Sequence, residues 1–177
     1  NVGNWVQGGR TAVETFPMDA VADLRLLLQS GTSVIAVDTS EEHRCLSIVR
    51  AASTGAPVWT WSAATGLGRE GSQPLYGTVD PDQMLSNLTA MSGTWTAVLL
   101  DPTPLLGDPA SLRALKELGQ RGQNGQSVLL VGHRLTIPTD LEGLVHRWRL
   151  GPPSVPELDA MIQRASARLG QQNVAID

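Results

Sequence analysis

The sequence predicts a three-layer α/β domain, in which helices cover both faces of a mainly parallel, five-stranded sheet. Two observations lead to this fold class. Short apolar runs alternate with segments of helical periodicity along most of the chain. Three of the runs, "SVIAV", "AVLL" and "SVLLV", are apolar throughout, as is typical of parallel strands buried on both faces.

The individual elements follow from apolar spacing and from glycine and proline breaks. Strands are expected at 33–38, 57–62, 95–100, 127–131 and 145–150. Helices are expected at 18–28, 41–52, 81–91, 109–118 and 155–169, with a helical turn near 140–144. Ser40 is the expected N-cap of the second helix. Asp80-Pro81 and Asp108-Pro109 are expected to start the third and fourth helices. Two polar, glycine-containing segments, 63–80 and 119–126, are expected to be flexible loops.

The length of 177 residues allows one domain with an arm. Residues 1–17 predict a flexible N-terminal arm, because glycine and proline interrupt any periodicity, and 18–177 predict the domain itself. The chain begins at Asn rather than Met, so we expect it to be part of a longer protein.

Charge and cysteine content exclude several classes of function. A net charge of −4 and a pI of about 5.3 make nucleic acid an improbable primary partner. A lone cysteine, Cys45, excludes a disulfide framework and fits a reducing compartment, and we expect it to be buried. No apolar run approaches the roughly 20 residues that a membrane span requires.

Polar side chains at the ends of the expected strands are the candidate binding residues, because open parallel sheets bind ligands at the carboxyl ends of their strands. The main candidates are Asp38, Thr39, Asp101, His133 and Arg134. Weaker candidates at the same edge are Ser40, Ser62, Thr65 and Thr103.

Phosphate binding is not predicted at this edge. The motif G-x-x-x-x-G-K-[ST], whose backbone wraps phosphates and whose lysine neutralises them, is absent. The turn at 38–42 instead carries three carboxylates, which would repel a triphosphate unless a metal intervened. "GLGREG", residues 66–71, lacks the Lys-Ser/Thr ending and is expected to be a mobile loop.

No catalytic residue or metal ligand is predicted either. Asp38 and Asp101, expected at adjacent strand ends, could hold Mg²⁺ through waters, but we favour helix capping or turn formation for both. The histidines lack zinc-ligand spacing, and His43 is expected on a solvated helix face. No G-x-S-x-G marks a nucleophile. Four tryptophans lie in expected strands: Trp59, Trp61, Trp95 and Trp148. Most of them are assigned to the core, with an interface as the alternative for a tryptophan on an edge strand.

The order of segments resembles the large subdomain of AAA+ ATPases over about residues 18–170. "SVIAVDTSEEHRCLSIVRAA" stands where that fold has its first strand, P-loop and first helix, and "WTAVLLDPTPLL" is similar to its Walker B strand ending at Asp101. Pro102 replaces the second acid. "SVLLVGHRLTIPTDLEGLV" and "HRWRLGPPSVPELDAMI" are similar to the later strands and the helix after them. The resemblance implies a degenerate domain without catalytic residues.

A closer resemblance connects "DLRLLLQSGTSVIAVDTSEEHR", "VWTWSAATGL" and "IPTDLE" to the N-terminal domain of a cyanobacterial and plastid AAA+ family. That family is linked to inorganic-carbon use in photosynthesis. The resemblance implies that ATP and Mg²⁺ bind in a downstream ATPase domain and that this domain holds no cofactor. It also implies that this domain packs on the ATPase domain or on other subunits of a homo-oligomer, in the cytoplasm or the plastid stroma.

The alternative resemblance is to the response-regulator receiver domain. "VIAVDTSEEHR" is similar to its first strand and acidic turn, and "AVLLDPTPLLGDPASLRALKEL" to its phospho-acceptor strand, with Asp101 at the acceptor position. Thr39 stands where that family has its second acid, and the fifth strand lacks the expected lysine. The two resemblances thus predict either a non-catalytic AAA-like domain or a degenerate signalling domain.

Overall fold

A computed structural model describes residues 19–121 and 125–172. The predicted arm at 1–17 lies outside the described residues. The helices are α1 (Ala20–Gln29), α2 (Glu42–Ala52), α3 (Pro81–Ala90), α4 (Thr103–Gly107), α5 (Pro109–Arg121), α6 (Thr139–Glu142) and α7 (Val155–Gln172). The strands are β1 (Val34–Asp38), β2 (Val58–Ser62), β3 (Gly66–Arg69), β4 (Trp95–Leu100), β5 (Gln126–Gly132) and β6 (Val145–Trp148).

The strands form one sheet in the order β3-β2-β4-β5-β1-β6, which confirms the α/β class and the mainly parallel arrangement. The order argues against the receiver alternative. In the 2-1-3-4-5 order of that fold the first strand lies beside the second, whereas here β1 lies between β5 and β6.

The sheet has a sixth strand that the sequence did not predict. β3 pairs antiparallel with β2 through a tight turn, so the expected loop at 66–71 is wrong for this part. Two glycines explain both the strand and its weak signal. Gly66 has a φ of +75° and lies against Thr78, and Gly68 lies against Pro74, so a side chain at either position would collide with backbone or side-chain atoms.

Part of the remaining expected flexible segment, around Thr78, is also held against the sheet. Thr78 is fully buried, and its carbonyl accepts a hydrogen bond of 2.6 Å from the indole N–H of Trp61. The Thr78 hydroxyl accepts from the Leu67 backbone N–H and donates to the Leu75 carbonyl. The prediction of an unstructured loop is therefore wrong here, because one threonine satisfies several buried backbone groups.

Two apolar cores form the layers on either side of the sheet. α1 and α2 cover one face, where the core includes Leu24, Cys45 and Trp148. α3 to α6 cover the other, where Trp61 and Trp95 are buried. The core assignment of these tryptophans is confirmed. Burial raises the pKa of the Cys45 thiol to about 11, since water no longer solvates its thiolate.

Helix α5 runs through residues that were expected to be a loop. It extends to Arg121, and Gly119 lies inside it and is buried. A Cβ at Gly119 would meet the side chains of Leu144 and Val34, so the glycine allows α5 to approach the seam between β1 and β6. The prediction of a loop from residue 119 is wrong. Glycine occurs both in turns and where elements pack closely, and the sequence alone does not distinguish the two uses.

Helix capping agrees with the sequence in two cases and differs in one. Asp80 caps α3 by accepting from the Gln83 N–H, and Asp108 caps α5 by accepting from the Ser111 N–H at 2.7 Å. That backbone bond is the main reason that the pKa of Asp108 lies below its usual value. Ser40 does not cap α2. Glu41 holds the N-cap position without a side-chain bond.

Candidate functional site

The carboxyl ends of β1, β4 and β5 bring the predicted site residues to one edge of the sheet. Asp38 ends β1, Asp101 follows β4, and His133 and Arg134 follow β5. β5 lies between the other two strands, so the expectation that Asp38 and Asp101 end adjacent strands is wrong. At about 4.8 Å between neighbours, β1 and β4 lie roughly 10 Å apart.

Asp38 stabilises the turn after β5 rather than the start of α2. Its Oδ1 accepts a hydrogen bond of 2.8 Å from the backbone N–H of Arg134, and the Nδ1 of His133 lies 3.9 Å from the same oxygen. Arg134 has a φ of +55°, in the left-handed region, and the bond to Asp38 supports this unusual backbone. Of the two roles expected for Asp38, helix capping is therefore wrong, whereas turn formation agrees with the structure, at the turn after β5.

The connection between β1 and α2 is shorter and more acidic than the usual phosphate-binding loop. It consists of residues 39–41, whereas the usual phosphate-binding loop spans about eight positions. The Thr39 backbone N–H bonds the Gly132 carbonyl at 2.9 Å, and the Thr39 hydroxyl accepts from the Glu41 N–H at 2.9 Å. The polar groups that could face a ligand are thus used inside the turn.

Asp101 is solvent-exposed and has a φ of +48°. Its backbone N–H bonds the Val131 carbonyl at 2.9 Å. Pro102 follows it and is buried, so the position offers no second carboxylate beside Asp101. Within 19–121 and 125–172, no three His, Cys, Asp or Glu residues are grouped closely enough to hold a metal ion.

The weaker candidates either bond each other within their own turn or are exposed to solvent. Ser62 and Thr65 bond each other at 2.8 Å within the β2–β3 turn. Thr103 is the first residue of α4 and is exposed, and Ser40 is exposed in the β1–α2 connection. The structure thus places the main candidates at one edge of the sheet, as predicted, but brings fewer of the polar residues together than the sequence suggested.

The sequence analysis missed two arginines at the end of β6. Arg147 and Arg149, with Asp38, line a half-open cavity of about 490 Å³ whose other walls are Ala36, Leu135 and Trp148. Arg147 pairs with Ala36 across β1 and β6, and Ala36 belongs to the core beneath α5, so Arg147 lies on that face. The alternation of "HRWR" was the available signal, since side chains two apart share a face.

Arg44 connects helix α2 to the segment that follows β6. It lies in α2 with only 8% of its side chain exposed, and its guanidinium donates to the Gly151 carbonyl, beyond β6, at 2.8 Å. It also lies 3.4 Å from Glu41 and 3.6 Å from Glu157. Arg44 therefore fixes the segment between β6 and α7 against the first turn of α2.

Ser154 and Glu157 begin α7 with a reciprocal cap. The Ser154 N–H donates to the Glu157 carboxylate at 2.8 Å, and the Glu157 N–H donates to the Ser154 hydroxyl at 3.4 Å. The bond from the Ser154 N–H is the largest cause that lowers the pKa of Glu157, and Arg44 adds to it. The start of α7 is thus fixed by both a local cap and Arg44.

Helix α7 carries exposed apolar side chains, of which Val155 is 71% exposed. The others are Leu158, Met161 and Ile162. The spacing of these four places them along one side of a helix. None of the helices in the described ranges combines the length and apolar character needed to cross a bilayer.

Comparison with known families gives one match. A family model described as "SpoVK-like AAA ATPase, N-terminal domain" matches residues 20–150, which is more than half of the chain. No curated protein sequence matches the chain. The matched range contains β1 to β6 and ends just before α7.

Solved structures support the same fold. A DNA polymerase III gamma subunit-related protein from Thermotoga maritima matches with a TM-score of 0.51 and 11% identity, over 77% of this chain and 47% of that one. A variant of Thermotoga maritima RuvB matches with a TM-score of 0.51 and 16% identity, over 85% of this chain and 50% of that one. The chain spans about half the length of these structures, and at such identities the likeness concerns the fold alone.

Proposed function

Because the chain belongs to the family of SpoVK-like AAA ATPase N-terminal domains, we propose that it is a non-catalytic AAA-like domain. Its role is to assemble or regulate an ATPase, or to recruit a partner protein to it. The ATP and Mg²⁺ used by the whole protein bind in a downstream ATPase domain, and the full-length protein forms a homo-oligomer.

The observation that carries this proposal is the β1–α2 connection. Residues 39–41 leave no room for a phosphate-binding loop, and Glu41 and Glu42 add negative charge at the start of α2. A triphosphate would meet carboxylates where the usual loop offers backbone N–H groups and a lysine. The fold is therefore retained at a position where its phosphate chemistry is lost.

The exposed apolar side of α7 supports a docking role. Val155, Leu158, Met161 and Ile162 would gain free energy by leaving water, at about 25 cal/mol for each Å² of apolar surface buried. Contiguous apolar surface on a folded domain is typical of interaction sites. We propose that the ATPase domain of the same protein covers this side of α7.

Calorimetric titration of the chain with ATP and Mg²⁺ tests the absence of a nucleotide site. We expect no Mg²⁺-dependent binding at micromolar nucleotide. A thermal melt gives a second measurement, because a ligand at a hundredfold excess over its Kd stabilises the folded state by about 2.7 kcal/mol. Micromolar affinity that depends on Mg²⁺ would contradict the proposal.

The docking role is tested in the full-length protein with Leu158→Ser and Met161→Ser together. We expect ATPase activity or oligomeric state to change, measured by phosphate release and by light scattering. Leu26→Ser on α1 is the matched control, since Leu26 is also exposed but lies on another surface. Equal behaviour of the double variant and the control would contradict docking through α7.

The resemblance to the cyanobacterial and plastid family extends the proposal to physiology. We propose that the full-length protein acts in the cytoplasm or the plastid stroma in the control of inorganic-carbon use. Deleting its gene is then expected to slow photosynthetic growth at low CO₂ more than at high CO₂. Equal growth defects at both CO₂ levels would contradict this link while leaving the docking role intact.

A further inference from the structure

The half-open cavity at the end of β6 has the size and position of a ligand site. Its volume of about 490 Å³ lies within the range of about 300–1,000 Å³ that is usual for small-molecule sites. It lies between the carboxyl ends of β1 and β6, the edge at which open parallel sheets bind ligands. Ala36 and Leu135 are buried and supply apolar wall to the cavity.

The charge in this cavity is opposite to that of the chain. The whole chain carries −4, whereas the cavity is lined by the two positive side chains of Arg147 and Arg149 and the one negative side chain of Asp38. Among the described residues, no carboxylate lies within 4.0 Å of either guanidinium. The Asp38 carboxylate instead bonds the Arg134 backbone. The two arginines are therefore available to an added anion.

The chemistry of these side chains selects the class of anion. Guanidinium groups present planar, paired N–H donors that match the oxygens of a phosphate, and they stay charged at all physiological pH values. Among the residues that line the cavity, Asp38 is the one carboxylate, so phosphate recognition here would rest on the two guanidinium groups.

We propose that Arg147 and Arg149 bind the phosphoryl groups of a small phosphorylated ligand, without a metal ion, in the cavity between β1 and β6. The ligand would bind where β6 ends, next in the chain to the β6–α7 segment that Arg44 holds through the Gly151 carbonyl. The proposal goes beyond the scaffold function, because it adds a small-molecule site to a domain that lacks the usual phosphate loop.

The experiment is a calorimetric titration of the chain with inorganic pyrophosphate in the presence of EDTA and at low ionic strength. We expect saturable one-to-one binding that weakens as salt is added. Arg147→Ala with Arg149→Ala should weaken it at least about tenfold, since two charge-assisted contacts are lost. Asp38→Asn should tighten it several-fold, because the substitution removes the negative charge from the cavity wall and keeps the acceptor for Arg134.

The matched control is Arg113→Ala with Arg121→Ala, which removes the same charge from α5, where neither residue lines the cavity. We expect this variant to bind like the wild type. Equal weakening in both double variants would mean that pyrophosphate responds only to net charge, and would overturn the proposal. Thermal melts confirm that each variant is folded before its affinity is compared.

Two further titrations identify the source of the phosphoryl groups. ADP binding that matches pyrophosphate would assign the site to the phosphates alone, and tighter ADP binding would assign it to a nucleotide. The second titration uses hexaglutamate, an anion that carries carboxylates but no phosphate. Absence of pyrophosphate binding, or binding of hexaglutamate alone, would overturn the proposal. Mg²⁺-dependent ATP binding that survives Arg147→Ala with Arg149→Ala would contradict the scaffold function instead, so the two failures are distinguishable.

Discussion

The β1–α2 connection and the end of β6 lie at the same edge of the sheet but differ in charge and in free space. The first is short, carries Glu41 and Glu42, and uses the polar groups of Thr39 inside the turn. The second carries Arg147 and Arg149 beside a cavity of about 490 Å³. The fold fixes where a ligand site can form, whereas a few local side chains decide which of the available positions can bind an anion.

The largest expected effect comes from the packing of α5 against β1 and the start of β6, the strands at which the two regions lie. Gly119→Val in α5 would place a branched side chain against Leu144 and Val34, at the packing contact with β1 and the residue before β6. We expect a loss of about 2–3 kcal/mol in the free energy of unfolding, measured by urea denaturation. Gly143→Val is the control, because nothing lies within 4 Å of a Cβ there. An unchanged midpoint in Gly119→Val would contradict the close approach.

The second effect concerns the connection between the two regions. Arg44→Leu removes the hydrogen bond from α2 to the Gly151 carbonyl and the ion pair with Glu157, and we expect a loss of about 2 kcal/mol. Arg50→Leu, on the same helix, breaks an exposed pair with Glu70 and should cost less than about 0.5 kcal/mol. Equal losses in the two variants would show that Arg44 does not hold the β6–α7 segment.

The third effect is the pH dependence of the stability that Glu157 contributes at the start of α7. The pKa of Glu157 is lowered from 4.5 in the folded state, mainly by the Ser154 N–H and further by Arg44. Its contribution to stability is therefore fully present above pH 4.5 and is lost as the pH falls through the lower, folded-state pKa. Glu157→Gln should melt at a lower temperature than the wild type at pH 7, and the difference should shrink at acidic pH. A difference that does not depend on pH would contradict this assignment.

The smallest effect tests whether Thr39 only supports its own turn. Thr39→Val removes the hydroxyl that accepts from the Glu41 N–H, and we expect a loss of about 0.5–1 kcal/mol. Pyrophosphate affinity should stay unchanged, because Thr39 does not line the cavity at β6. Reduced pyrophosphate affinity in Thr39→Val would move the anion site to the β1–α2 connection and remove the contrast between the two regions.

The sequence by itself determined the fold class and most element positions. Continuous apolar runs predict parallel strands buried on both faces, and Asp80 with Pro81 predicts the start of α3, because these signals act within one element. The absence of a phosphate loop was also evident from the sequence, since that loop depends on residues that follow one another in the chain.

The tertiary structure alone decided which residues meet. The strand order places β5 between Asp38 and Asp101, and pairing with β2 turns a glycine-rich segment into β3. The cavity joins Asp38 to Arg149, which are far apart in sequence and adjacent only because β1 and β6 pair. Pairing between distant strands is set by the packing of the whole sheet, so no local pattern contains it.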